Sequence, residues 1–161
     1  MTDSAAKQDA STRWTLLDVL PQKPPMVLLD SIVSHTSEET VCSVRIDPAS
    51  KFASADGSIP SWIALEYMAQ CAAAHSGLEE REKGNPIRLG FLLGSRRLNF
   101  HVASFAAEAN LQVSVRPAWN DGELASFSCS VRDEHGAVLA DCELSAYSPH
   151  DLQDLLARQN A

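Results

Sequence analysis

The chain lacks the charge pattern and the long apolar runs that mark two large classes of protein. Its 161 residues carry a net charge of -8, and phosphate binding needs clustered lysine and arginine. The longest apolar stretch, Trp62 to Ala74, is interrupted by polar residues, so it does not predict a membrane span. The N-terminal residues contain no apolar segment typical of a signal peptide. We therefore expect no nucleic-acid partner and no membrane span.

Metal and cofactor motifs are also missing. The four cysteines lie in apolar segments without CxxC spacing, where a free thiol behaves as a small hydrophobe. The sequence contains no GxGxxG, P-loop, GxSxG or HExxH motif, and its scattered histidines lack metal-ligand spacing. We therefore expect no metal and no cofactor, and a reduced, cytoplasmic setting.

The length and composition predict one domain with terminal extensions. A chain of 161 residues with 45% hydrophobic residues can build one core, and is too short for two comfortable ones. Residues 1–12 are small and polar, which predicts a flexible tail. We expect the domain to span residues 13–150 and a C-terminal helical tail to span residues 151–161.

The segment "GSIPSWIALEYMAQCAAAHSG" predicts one long helix. Ser58 can cap its first turn, Pro60 fits that turn, and Gly77 can end the helix in a left-handed conformation. These signals predict about 17 helical residues. Because the segment is apolar nearly all round, we expect the helix to be buried on most sides.

Most of the remaining sequence predicts strands. Two strands precede the helix, in "MVLLDSIVSHT" and "ETVCSVRID", and about four follow it. In the last hairpin, Phe127, Cys129 and Val131 share one face. This order predicts an α+β fold in which a curved antiparallel sheet wraps around one long central helix.

Two motifs give the chain its resemblance to a known family. They are "LPQKPPMVLLD", residues 20–30, and "LEYMAQ", residues 65–70 on the helix. Together they resemble the hotdog-fold 3-hydroxyacyl-ACP dehydratases over residues 14–148. With "GFLLGSRRLNFH", residues 90–101, the chain is most similar to the predicted dehydratases associated with aryl-polyene clusters. The resemblance implies a thioester substrate on acyl carrier protein or coenzyme A, and a homodimer or a heterodimer with a related hotdog subunit.

The resemblance also implies an active site at the subunit interface. One subunit supplies a histidine from the Leu-Pro-His stretch, where this chain has Gln22, and the other supplies a helix carboxylate, which matches Glu66. Backbone N–H groups near Trp62 and Ile63 are implied to polarise the thioester carbonyl, at the positive end of the helix dipole.

The substitution at Gln22 limits the chemistry that the chain can perform. Dehydration removes a proton from C2 of the acyl chain and expels hydroxide from C3, and glutamine cannot be a general base. Gln22 can orient the thioester or a water molecule. Glu66 is either the acid/base group or half of an ion pair. Gln70, at i+4 from Glu66, can hydrogen-bond to it or to substrate, or can bridge subunits.

Other histidines and arginines are candidates for the same site. His75 lies nine residues after Glu66, on the opposite face of a helix. His101 lies on a strand, where it is either an edge or core histidine or one that reaches an interface site. Arg96 and Arg97 form either a solvated face or a docking patch for phosphopantetheine or the acidic carrier protein. Because neighbouring strand residues point to opposite faces, only one of the two arginines can face a given partner.

Three functions are compatible with this sequence. The first is a 3-hydroxyacyl-ACP dehydratase-like protein of fatty-acid or polyketide-type biosynthesis, in which Gln22 replaces the histidine. The second is a catalytically silent hotdog partner subunit or acyl-binding protein, an alternative that Gln22 motivates. The third is an acyl thioesterase, in which a helix carboxylate activates water without a histidine.

Overall fold

A computed structural model describes residues 13–159 as one six-stranded antiparallel sheet around a long helix. The predicted tail, residues 1–12, lies outside the described residues. The sheet has the strand order β1-β2-β6-β7-β8-β4. The strands are β1 Ser31–His35, β2 Thr40–Arg45, β4 Phe91–Phe100, β6 Asn110–Asn120, β7 Leu124–Arg132 and β8 Val138–Tyr147. A separate two-stranded pairing joins β3 Ile59–Pro60 to β5 Ser104–Phe105.

The central helix α2, Ala64–Glu82, packs against the inner face of this sheet. The inward residues of the strands alternate with outward ones, and Val113, Val115, Cys129 and Val131 are buried. On the helix, Met68 and Cys71 are fully buried. The predicted curved sheet around one buried helix is therefore confirmed.

The predicted start of the helix is wrong. Ser58 and Pro60 precede it, because the chain first forms β3 and then a short 3-10 turn, Ser61–Ile63. The pairing of Ile59 with Phe105 keeps this segment extended. Helix α2 therefore begins at Ala64, after the residues that the sequence predicted as its first turn.

The predicted end of the helix is also wrong, because Gly77 lies inside α2. A Cβ atom at this position would stand 2.1 Å from the carbonyl oxygen of Val19, in the short helix α1, Leu16–Val19. Glycine is thus required for the close approach of α1 to α2. The residue that follows the helix in a left-handed conformation is Gly84, with φ of +76°.

The remaining elements agree with the sequence in outline. The C-terminal segment contains helix α3, Leu152–Gln159. All four cysteines are free and buried, and burial raises the pKa of the Cys71 thiol well above its usual range. Within residues 13–159, no helix combines the length and apolar character needed to cross a membrane.

Candidate active site

A cavity of about 360 Å³ lies between α2 and one end of the sheet. Gln22, in the segment that follows α1, and Glu66 and Ala69 of α2 contribute to its wall. Strands contribute apolar side chains from the other side: Phe91, Leu92, Trp119, Phe127, Leu144 and Ala146. The cavity is thus mostly apolar with a few polar groups, as is usual for sites that hold small molecules.

Gln70 connects Glu66 to the chain segment that precedes β1. Its Nε2 donates to Glu66 Oε1 at 2.8 Å and to the carbonyl oxygen of Met26 at 2.7 Å. Its Oε1 accepts a hydrogen bond from the Leu28 N–H at 2.9 Å. Both amide hydrogens of this fully buried side chain are therefore engaged within the chain. The i+4 contact between Glu66 and Gln70, one of the predicted options, is present.

Gln22 lies at the cavity with its side-chain oxygen unsatisfied. The residue is half-buried, and its buried Oε1 has no hydrogen-bond partner among the described residues. A buried acceptor without a partner costs free energy, so a ligand that donates a hydrogen bond here would relieve that cost. The resemblance places the Gln22 and Glu66 positions in different subunits, whereas both residues of this one chain line the same cavity.

The other predicted site residues lie outside this cavity wall. Trp62 is 59% exposed on the 3-10 turn and Ile63 is buried, and carbonyl polarisation by the backbone there stays a prediction. His101 is exposed and lies 2.6 Å from Asp141. Arg96 and Arg97 are exposed on β4, the edge strand of the sheet.

The strict alternation assumed for the two arginines does not hold. Strand β4 has a bulge after Arg96, where Arg96 pairs with Glu143 and Asn99 pairs with Asp141. Arg97 has φ of +50° within this bulge, and its guanidinium pairs with Glu143 at 3.1 Å. An extra residue in one strand interrupts the in-and-out pattern of side chains, so the argument that only one arginine can face a given partner no longer applies.

A second polar network, which the sequence did not predict, lies further along α2. The Thr40 hydroxyl stands 2.7 Å from His35 Nδ1 and 2.8 Å from His75 Nδ1. Thr40 is fully buried and His75 is 4% exposed. Burial and the neighbouring His35 lower the pKa of His75 to about 4. The ring is therefore neutral at pH 7, although it also contributes to the cavity wall.

A comparison with protein-family models identifies the family of this chain. The model of the ApeP-like family, described as ApeP dehydratase, matches residues 14–157. The chain belongs to the ApeP-like dehydratase family. A search of the curated proteins finds no match.

One solved structure supports membership in this dehydratase family, and two others share its fold. The chain is similar to one in the dehydratase heterocomplex ApeI:P from Xenorhabdus doucetiae, with 28% identity and a TM-score of 0.85 over 92% of this chain and 99% of that one. The PaaI protein of E. coli is 9% identical with a TM-score of 0.57, over 72% of this chain and 80% of that one. A hypothetical thioesterase with coenzyme A from Streptococcus pneumoniae is 9% identical with a TM-score of 0.58, over 73% and 84%. The last two show the hotdog fold alone.

Proposed function

We propose that this chain is a subunit of a dehydratase that removes water from a 3-hydroxyacyl thioester carried on acyl carrier protein or coenzyme A. The observation that carries the proposal is the half-buried carboxylate of Glu66 in the wall of a mostly apolar cavity. Membership in the ApeP-like dehydratase family supports this class of reaction. Four free, buried cysteines suit a reducing, cytoplasmic setting.

Glu66 has the chemistry that dehydration requires. As a carboxylate it accepts the proton from C2, and the resulting carboxylic acid donates that proton to the hydroxide leaving C3, which departs as water. Gln70 is a positioning residue, because its bond to Glu66 leaves the second carboxylate oxygen free to meet the substrate. The Gln22 amide orients the thioester or a water molecule, and it does not transfer a proton.

The edge of the sheet supports assembly with a related hotdog chain. Strand β4 ends the sheet, so one side of its backbone is available for pairing with another strand. Several apolar side chains of this strand are 40% exposed or more: Phe91, Leu92, Leu93 and Phe100. Exposed apolar groups along a long edge strand favour burial against a partner. The similar chain from Xenorhabdus doucetiae belongs to a heterocomplex, and we propose a related hotdog subunit as the partner here.

A rate measurement with three proteins tests the role of Glu66. Interconversion of 3-hydroxyacyl and 2-enoyl thioesters on carrier protein is followed for wild type, Glu66→Gln and Glu134→Gln, alone and with a related hotdog subunit. We expect Glu66→Gln to lower the rate by about 10²–10⁴, with little loss of stability because glutamine still accepts the Gln70 hydrogen bond. Glu134 is an exposed turn residue, so Glu134→Gln serves as the matched control. Equal rates for Glu66→Gln and wild type would contradict the proposal.

A catalytically silent subunit is the second candidate. It is favoured by one observation: among residues 13–159, the hydrogen-bond partner of Glu66 is Gln70 and not a histidine. If the chain only completes its partner's site, the mixed dimer stays active with Glu66→Gln and loses activity when the partner's own acid/base residue is replaced. Activity of Gln22→His where the wild-type chain alone is silent would point the same way. Release of free thiol from the thioester would instead identify a thioesterase.

A further inference from the structure

Three side chains from distant parts of the sequence meet where β1 approaches the last turns of α2. His35 ends β1, and Glu79 and Glu82 lie three residues apart on the helix. His35 Nε2 is 3.9 Å from Glu79 Oε1 and 3.7 Å from Glu82 Oε1. One ligating atom from each of the three residues lies within 4.8 Å of the other two.

The His35 ring points an unsatisfied nitrogen into this cluster. Its side chain is 4% exposed, and its buried Nε2 has no hydrogen-bond partner among the described residues. The two carboxylates are too distant to accept a good hydrogen bond from it. A buried ring nitrogen usually finds a partner, so this atom and the two glutamates beside it leave a position for a bound atom.

The other ring nitrogen of His35, Nδ1, is hydrogen-bonded to Thr40, and this bond orients the ring as a metal ligand requires. Thr40 Oγ1 lies 2.7 Å from His35 Nδ1, and the same hydroxyl reaches His75 Nδ1 at 2.8 Å. A hydroxyl has one proton to donate, so it can donate to His75 and accept from the Nδ1–H of His35. In that tautomer the His35 Nε2 lone pair faces Glu79 and Glu82. Metal-bound histidines are commonly oriented by such a bond from the second ring nitrogen.

We propose that His35, Glu79 and Glu82 form a binding site for a divalent first-row metal ion such as Zn²⁺. One imidazole nitrogen and two carboxylate oxygens, with water in the fourth position, are a donor set that Zn²⁺ accepts. Bonds of about 2.0–2.2 Å place neighbouring ligand atoms roughly 3.3 Å apart in a tetrahedron. The carboxylate oxygens lie 3.7 and 3.9 Å from His35 Nε2 and within 4.8 Å of each other, so binding requires them to close by roughly 0.5 Å on the ring and by up to about 1.5 Å on each other. The Glu82 side chain is 55% exposed and free to make most of this movement.

The site was not visible in the sequence because its ligands do not form a spacing motif. The sequence predicts no metal site, because motif spacing detects only ligands that lie close together in the chain. Here the fold brings β1 to the C-terminal end of α2. A bound ion would link the β1–β2 hairpin to α2. It would raise the free energy of unfolding by an amount set by the ion concentration relative to its Kd. This proposal does not depend on the dehydratase reaction.

The test is a metal titration of the metal-free full chain. Zn²⁺ binding is measured by calorimetry and Co²⁺ binding by visible absorption, for wild type, His35→Gln, Glu82→Gln and the control His101→Gln. We expect one ion per chain, a Co²⁺ spectrum of low coordination number, and affinity at least about tenfold lower in both cluster variants. His101 is also paired with a carboxylate, Asp141, at 2.6 Å, so an unchanged affinity in His101→Gln shows that a histidine–carboxylate pair alone is not sufficient.

The variant Glu82→Gln and one further variant, Lys83→Gln, allow the proposal to be tested even if His35→Gln does not fold. Glu82 is largely exposed, so Glu82→Gln reports on the ion even if His35→Gln fails to fold. Lys83 Nζ lies 3.5 Å from Glu79 Oε2 and repels a cation, so Lys83→Gln should bind Zn²⁺ more tightly. Absence of stoichiometric binding in the wild type, or equal affinity in wild type and Glu82→Gln, would overturn the proposal and leave His35 as a buried ring that Thr40 holds beside two glutamates.

Discussion

The polar networks on the two halves of α2 contain similar groups in opposite surroundings. Glu66 is half-buried in the wall of a cavity, and one of its oxygens is held by Gln70. Thr40 is fully buried, and its hydroxyl hydrogen-bonds to the rings of His35 and His75. In the Glu66 network, one carboxylate oxygen stays available to a ligand. In the Thr40 network, the hydroxyl is fully engaged by the His35 and His75 rings. The comparison suggests that the first network serves chemistry and the second serves folding.

The largest expected loss of stability is at Gln70, which contributes both to the cavity through Glu66 and to folding through Met26 and Leu28. Gln70→Leu leaves the Leu28 N–H and the Met26 carbonyl without their partner. An orphaned buried group costs about 1–3 kcal/mol, and because these two backbone groups are only part-buried we expect the free energy of unfolding to fall by about 2–4 kcal/mol, below the full sum of two such costs. The rate should fall as well, because Glu66 loses its positioning bond. Denaturant unfolding and the dehydration assay measure the two effects.

A second variant at Gln70 changes both the hydrogen bonds and the charge beside Glu66. Gln70→Glu retains an oxygen for the Leu28 N–H but removes both N–H donors, and it adds a negative charge beside Glu66. We expect it to unfold more easily than wild type and to shift the pH dependence of the rate. Full stability of Gln70→Leu would show that the contacts with Met26 and Leu28 do not contribute to folding.

Substitutions in the Thr40 network should lower the free energy of unfolding and leave the dehydration rate unchanged. Thr40→Val preserves the shape of the side chain and removes the hydroxyl that reaches His35 and His75. The expected cost is about 1–3 kcal/mol of unfolding free energy, because two buried ring nitrogens lose their partner. Thr40→Ser keeps the hydroxyl and serves as the control, with a cost below about 1.5 kcal/mol for one lost methyl group. A large fall in the rate per folded Thr40→Val molecule would contradict the division of roles.

Local sequence signals predicted the parts of the fold that depend on neighbouring residues. The alternation of Phe127, Cys129 and Val131 identified the inward face of β7, and the i+4 spacing of Glu66 and Gln70 anticipated their hydrogen bond. Gly77 shows the limit of such signals. The sequence suggested a helix end there, but the glycine is needed because α1 packs against it, and that contact is made by a distant part of the chain.

The same limit applies to the two polar networks. The backbone of Met26 and Leu28 holds Gln70, and Thr40 joins His35 to His75, but these pairings are set by the fold and leave no periodic pattern. Gln22 lies in the family motif "LPQKPPMVLLD". Its unsatisfied oxygen at the cavity became evident only from the arrangement of the elements around it.

Gln22 gives the smallest expected change in stability and the clearest separation of stability from function. Its buried Oε1 has no partner among the described residues, so the folded state already bears the cost of desolvating that atom. Gln22→Leu has a similar volume and removes the cost. We expect the free energy of unfolding to stay the same or to rise by up to about 1 kcal/mol. Thermal unfolding without substrate measures this effect.

The rate of Gln22→Leu should move in the opposite direction from its stability. If Gln22 orients the thioester or a water molecule, the leucine variant has a higher KM or a lower kcat despite its equal or greater stability. Functional sites often retain polar groups that folding alone does not favour. Destabilisation by more than about 1 kcal/mol would indicate that Gln22 makes a structural hydrogen bond. Unchanged kinetics would show that Gln22 does not take part in the reaction and would leave Glu66 as the polar group of the cavity that does.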